Sequence, residues 1–98
     1  MIKHVVMWKF KDGVVEADKL EMKRQLDALK GLVPTLVDIS VGMDFSRKDR
    51  SWDMVLYSEF ESLEGLEAYA VHPEHLKVVE FVKRVVSEGA AVDYEEEL

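Results

Sequence analysis

The chain has 98 residues, 48% of them hydrophobic, enough for a single domain over residues 1–98 whose core is shallow at this size. A net charge of −7 and a pI near 4.9 argue against nucleic acid, because a phosphate backbone needs clustered Lys and Arg to displace its counterions. No apolar run approaches the ~20 residues of a membrane span, and without cysteine there is no disulfide, thiolate nucleophile or thiolate metal site, so the expected setting is soluble and cytoplasmic.

Residues 2–10, IKHVVMWKF, place Ile2, His4, Val6, Trp8 and Phe10 on one side and Lys3, Val5, Met7 and Lys9 on the other, the period of a strand. Met1 leads straight into this strand rather than into a signal-peptide pattern. Asp12 and Gly13 break it. From Val15 onward, Met22, Leu26, Leu29 and Val33 form one helical stripe, which predicts a helix ending before Pro34.

A second strand spans residues 37–45, with Val37, Ile39, Val41, Met43 and Phe45 aligned, and a third spans residues 51–60. The basic run Arg47, Lys48 and Arg50 between them reads as an exposed hairpin loop. Ser62 opens a short helix in which Leu63, Leu66, Tyr69 and Ala70 share a side and Gly65 weakens the interior. Pro73 suits the first position of the next helix, which makes His72 its N-cap and puts His75 in its first turn. That helix runs to about Val86, Gly89 stops it, and residues 90–94 make a brief last strand before an acidic tail, residues 95–98.

The order β-α-β-β-α-β is that of a ferredoxin-like α+β sandwich with its helices on one sheet face. The opposite face then lacks a cover. Val5 and Met7 on it are too apolar to leave wet, so a second copy packing sheet to sheet is the expected partner.

Three histidines invite a chemical reading. On a wheel starting at His75, Val79, Val82 and Val86 fall within about 40° at 100° per residue, so His75 heads the buried stripe and faces inward. Burial and a helix N-terminus both oppose a positive charge, which favours the neutral imidazole a general base requires. Tyr69, a turn earlier, could donate to an oxygen on which negative charge develops. Together they allow proton abstraction beside a carbonyl; the alternative is that His75 packs and Tyr69 fills core. His4, Val6 and Trp8 share the inward side of the first strand. With Asp93 and His72 they are the remaining candidates for lining a pocket between sheet and helices. No histidine pair has the short spacing of a metal site, and no cofactor is expected.

HVVMWKFK at the start, the GMD after the second strand and above all AYAVHPEHLKVVEFV resemble the stress-responsive A/B barrel (Dabb) domain. The Tyr-x-x-His-Pro-x-His segment, here Tyr69, His72, Pro73 and His75, is the most specific part of the resemblance, which covers nearly the whole chain. It implies a ferredoxin-like fold whose protomers pair through their sheets into a dimeric α+β barrel. The family includes heat- and salt-induced plant proteins without established chemistry and a plant polyketide cyclase performing an aldol condensation. In that cyclase branch the tyrosine and second histidine of the motif act together, which implies roles for Tyr69 and His75. The cyclase has bulky aromatics on its first helix where Met22, Lys23 and Leu26 stand here, which implies a smaller carbonyl substrate than a polyketide.

Two functions from different classes are therefore expected. One is a homodimeric small-molecule binder or proton-transfer enzyme, of cyclase or isomerase type, acting on a small carbonyl compound. The other is a non-catalytic dimeric stress-response or interaction domain.

Overall fold

A computed structural model describes residues 1–97; Leu98, the last residue of the expected tail, lies outside the described residues. The elements are β1 (Ile2–Phe10), α1 (Glu16–Asp27), β2 (Leu36–Met43), β3 (Met54–Phe60), α2 (Leu63–Val71), α3 (Pro73–Val85) and β4 (Val86–Glu95). The strands form one antiparallel sheet in the order β2-β3-β1-β4, the ferredoxin-like arrangement, with the helices on one face. Alternation on β3 buries Met54, Leu56, Ser58 and Phe60 against Met22 and Leu26 of α1, Leu66 and Tyr69 of α2, and Val78, Val82 and Val85 of α3. Ser58 is the polar member of that row. Its hydroxyl donates to the His4 carbonyl at 2.9 Å, so its burial leaves no orphaned group.

Several boundaries differ from the sequence reading, each for a local reason. α1 stops at Asp27 and a series of turns follows, with Gly31 at a φ of 99° that only glycine adopts without strain; Leu29 and Val33 are still buried, but from those turns. On β2 the register slips between Leu36 and Asp38, so Leu36 rather than Val37 joins the core row of Val41. Phe45 lies beyond the strand and is 94% exposed, and β3 begins at Met54, three residues later than expected from its pattern. On α2 the buried side is Gly65, Leu66 and Tyr69, while Leu63 and Ala70 face solvent.

The largest difference is at the end of the chain. α3 passes into β4 with no loop, and β4 runs from Val86 to Glu95 instead of occupying residues 90–94 only. Glu95 therefore pairs with Ile2, and the Glu96 N–H donates to the Met1 carbonyl at 2.9 Å. Gly89 does not stop the helix. It sits within the strand opposite Trp8, where a Cβ would approach the indole Cδ1 to 3.3 Å, so a side chain there would press the ring aside by a few tenths of an ångström.

The face turned away from the helices carries Val5 and Met7 of β1, Val55 of β3 and Val92 of β4, neighbours by register. Met7, Val55 and Val92 are all exposed. At one end of this strip Lys3 is only 7% exposed, its Nζ 2.6 Å from Glu59 Oε1, which also accepts from the Tyr57 hydroxyl at 2.8 Å. The Lys3 ammonium and the Tyr57 hydroxyl hold the Glu59 carboxyl below its usual range. The apolar strip lies between that satisfied triad and the Lys9–Glu88 pair, 3.8 Å apart, with Asp38 and Ser40 of β2 at its edge.

Candidate functional site

The segment between α2 and α3 is fixed by caps. Ser62 begins α2, its hydroxyl accepting from the Gly65 N–H at 3.1 Å, and His72 closes that helix while opening α3. The His72 Nδ1 accepts from the Glu74 N–H at 3.1 Å, so its proton is on Nε2. Pro73 occupies the first turn, where its absent N–H costs nothing. This rigid corner sets the position of His75 one turn into α3.

His75 is half-buried, and its Nδ1 lies 3.1 Å from the Ala70 carbonyl. A carbonyl only accepts, so Nδ1 carries the proton and Nε2 keeps its lone pair. Burial holds the imidazole below its ordinary value. The Ala70 carbonyl opposes this and the neighbouring His4 and His72 reinforce it. The ring of Tyr69 faces that of His75, with centroids 4.2 Å apart and planes inclined at 37°. Tyr69 is 2% exposed, and burial raises its hydroxyl to about 12, so at neutral pH it is a proton-bearing donor.

Both rings line a cavity of about 220 Å³ with His4, Val6 and Trp8 of β1, Leu26 of α1, Leu56 of β3, and Val78, Val79 and Val82 of α3. That volume is below the ~300 Å³ at which pockets for drug-sized ligands begin. At ~30 Å³ each it is room for about seven waters.

The structure thus brings together five of the sequence candidates: His4, Val6, Trp8, Tyr69 and His75. Asp93 stands behind the cavity. It pairs with His4 across β1 and β4, and its carboxylate accepts from His4 Nδ1, which fixes that ring while Asp93 itself is half open to solvent. His72 is not part of the lining, because its side chain is committed to the cap. Sequence reasoning missed Leu26, Leu56, Val78, Val79 and Val82 as lining residues. The α3 stripe is centred on Val78, Val82 and Val85 rather than on His75, which places His75 and Val79 on the flank bordering the hollow. Nor was the Ala70 carbonyl foreseeable, since backbone acceptors leave no mark on residue type.

A larger cleft of about 500 Å³ opens at the far end of the sheet, between Phe10, Lys19, Met43 and the loop after β2. Three of its charged residues pair with one another. The Arg47 guanidinium is 2.5 Å from Asp53 and 3.3 Å from Asp44, and Asp53 also accepts from the Phe10 N–H at 2.8 Å. Among the described residues no three His, Asp or Glu side chains converge as a metal centre requires. The smaller cavity, which holds a poised imidazole beside a phenol, is the candidate site.

Residues 2–96 match the family described as the Stress responsive A/B Barrel Domain. The chain belongs to the stress-responsive A/B barrel family. Among relatives it is 31% identical over 77 residues to olivetolic acid cyclase of Cannabis sativa, covering 76% of each chain. It is 33% identical over 95 residues to a stress-response A/B barrel domain-containing protein of Arabidopsis thaliana, spanning 96% of this chain but only 36% of that longer protein. A dimeric ferredoxin-like protein of unknown function from Bacteroides fragilis superposes with a TM-score of 0.84 at 32% identity, over 97% of this chain and 95% of that one. No helix among the described residues of this stress-responsive A/B barrel chain is long and apolar enough to cross a membrane.

Proposed function

We propose that this chain is a cytoplasmic homodimeric binder of small carbonyl compounds that transfers a proton, with His75 as general base. The observation that carries this is the Ala70 carbonyl, which holds the half-buried His75 with Nε2 unprotonated and its ring against that of Tyr69. A ligand carbonyl oxygen received by Tyr69 brings its α-carbon to His75. The α-proton passes to Nε2, the C–H bonding pair becomes the enolate π bond, and negative charge moves to the oxygen facing the phenol. The imidazolium then returns the proton to carbon. His4, held by Asp93, gives the ligand a second polar contact. The likeness to a cyclase supports carbonyl chemistry, and the small cavity supports a compact ligand.

Exchange of α-protons for solvent deuterium in small ketones, followed by proton NMR, tests the reading. Tyr69→Phe removes one donor to the developing oxyanion and is expected to slow exchange by about 10²–10³-fold. Equal rates above the buffer control would remove the phenol from the reaction, and exchange no faster than buffer in either protein would return the chain to its second reading, a dimeric stress-response domain without chemistry, which the modest volume of the hollow favours.

The dimer forms through the Val5, Met7, Val55 and Val92 face, which is apolar enough to need a cover; that the similar Bacteroides protein is dimeric supports pairing. Met7→Glu places an unpaired charge there in both copies. It is expected to weaken association at least about a hundredfold, some 3 kcal/mol, and to yield monomer by light scattering at micromolar concentration. A Met7→Glu protein as dimeric as the parent would place the interface elsewhere.

A further inference from the structure

We propose that Trp8 sets the length of ligand the cavity accepts, its indole standing at the end of the cavity nearest Phe10. This rests on the carbonyl-site reading above and adds a residue that decides which carbonyl compounds fit.

His4, Val6, Trp8 and Phe10 follow one another along the helix-facing side of β1. The first three line the 220 Å³ cavity, whereas Phe10 lines the 500 Å³ cleft. Trp8 is therefore the last cavity residue before the boundary and the largest side chain in the lining. Its position depends on Gly89 across the ladder, where a Cβ would come within 3.3 Å of Cδ1 and 3.6 Å of Nε1. With no side chain there, the indole is not pressed aside from that end.

The polar groups His4, Tyr69 and His75 anchor the carbonyl, so a chain attached to it extends along the apolar lining of Val6, Val79 and Val82 toward Trp8. A flat aromatic ring at the end of such a slot ends the gain in affinity, because a further methylene must either displace the indole or turn out into water through the open side. Short-chain carbonyl compounds are the class admitted. Removing the indole opens the slot toward Phe10.

The experiment titrates methyl ketones from butanone to decan-2-one into the full chain and into Trp8→Ala and Trp8→Leu, reading the His75 Cε1–H resonance and α-deuterium exchange. In the parent, affinity is expected to rise with chain length and then level off. In Trp8→Ala the rise continues past that point by about fourfold per added methylene, the gain for burying each CH₂. Trp8→Leu falls between them and serves as the deciding variant if thermal unfolding shows Trp8→Ala to be poorly folded. Ketones that shift His75 in the parent but level off at the same length in Trp8→Leu and Trp8→Ala overturn the role of Trp8 and leave the carbonyl site standing. No shift at His75 with any ketone in any of the three proteins overturns both.

Discussion

Replacing His75 with alanine is expected to lower α-proton exchange by about 10²–10⁴-fold, the contribution of a positioned general base. The variant should fold, because the ring lies on the flank of the α3 stripe and not among Val78, Val82 and Val85. His75→Asn is the stricter comparison, since its amide can still donate to the Ala70 carbonyl while supplying no base. The pH profile gives an independent readout. Burial, the leading cause, holds His75 below its ordinary 6.5, so the acid limb of activity, where Nε2 takes up a proton, should have its midpoint below that pH. The same shift has a sign in stability. The unfolded chain binds this proton more readily than the folded one, so the stability it contributes is complete above 6.5 and is lost as pH falls through the lower folded value. His75→Ala should flatten both slopes together, and a profile that keeps its acid limb in the variant would assign that limb to another group.

Phe60→Ala is expected to cost about 3–5 kcal/mol, the range for truncating a fully buried phenylalanine. Phe60 is 0% exposed at the end of β3, with its ring centroid 5.0 Å from that of Tyr69. Against a typical domain stability of about 5–15 kcal/mol this is a large share. Urea unfolding at fixed protomer concentration, since a dimer's midpoint depends on it, should show a lower midpoint with little change in slope. Because Phe60 also backs the phenol, exchange activity under native conditions should fall as well. A loss under about 1 kcal/mol would mean the site can collapse and that Phe60 is not the central packing residue it is taken to be.

What could be read from residue order was whatever repeats or punctuates. The period of β1 separated His4, Val6 and Trp8 from Lys3, Val5 and Met7, and the helical spacing after Pro73 turned His75 inward. Ser62 and His72 are caps because short polar side chains before helical runs have few other uses. Features that depend on a partner distant in sequence stayed hidden. Gly89 reads as a helix stop until Trp8 is found opposite it, and the slip on β2 requires the register with β3. The end of α1 was misplaced because Leu29 and Val33 keep a helical rhythm while being buried from turns. The five-way meeting around the hollow was legible as directions, whereas the proton on His75 was not, since it is settled by the peptide oxygen of Ala70.

The direct passage from Val85 into Val86 means that one uninterrupted stretch of backbone supplies His75 on the roof, Gly89 under the indole and Asp93 behind His4. The splice already carries one irregularity, where Ser87 stands outside the ladder between Val86 opposite Phe10 and Glu88 opposite Lys9, and a further residue gained or lost there would turn every side chain of β4 to the other face of the sheet. Base, end wall and imidazole anchor are thereby geared to one another, so evolution can retune the chamber by exchanging side chains far more readily than by changing the length of chain that frames it.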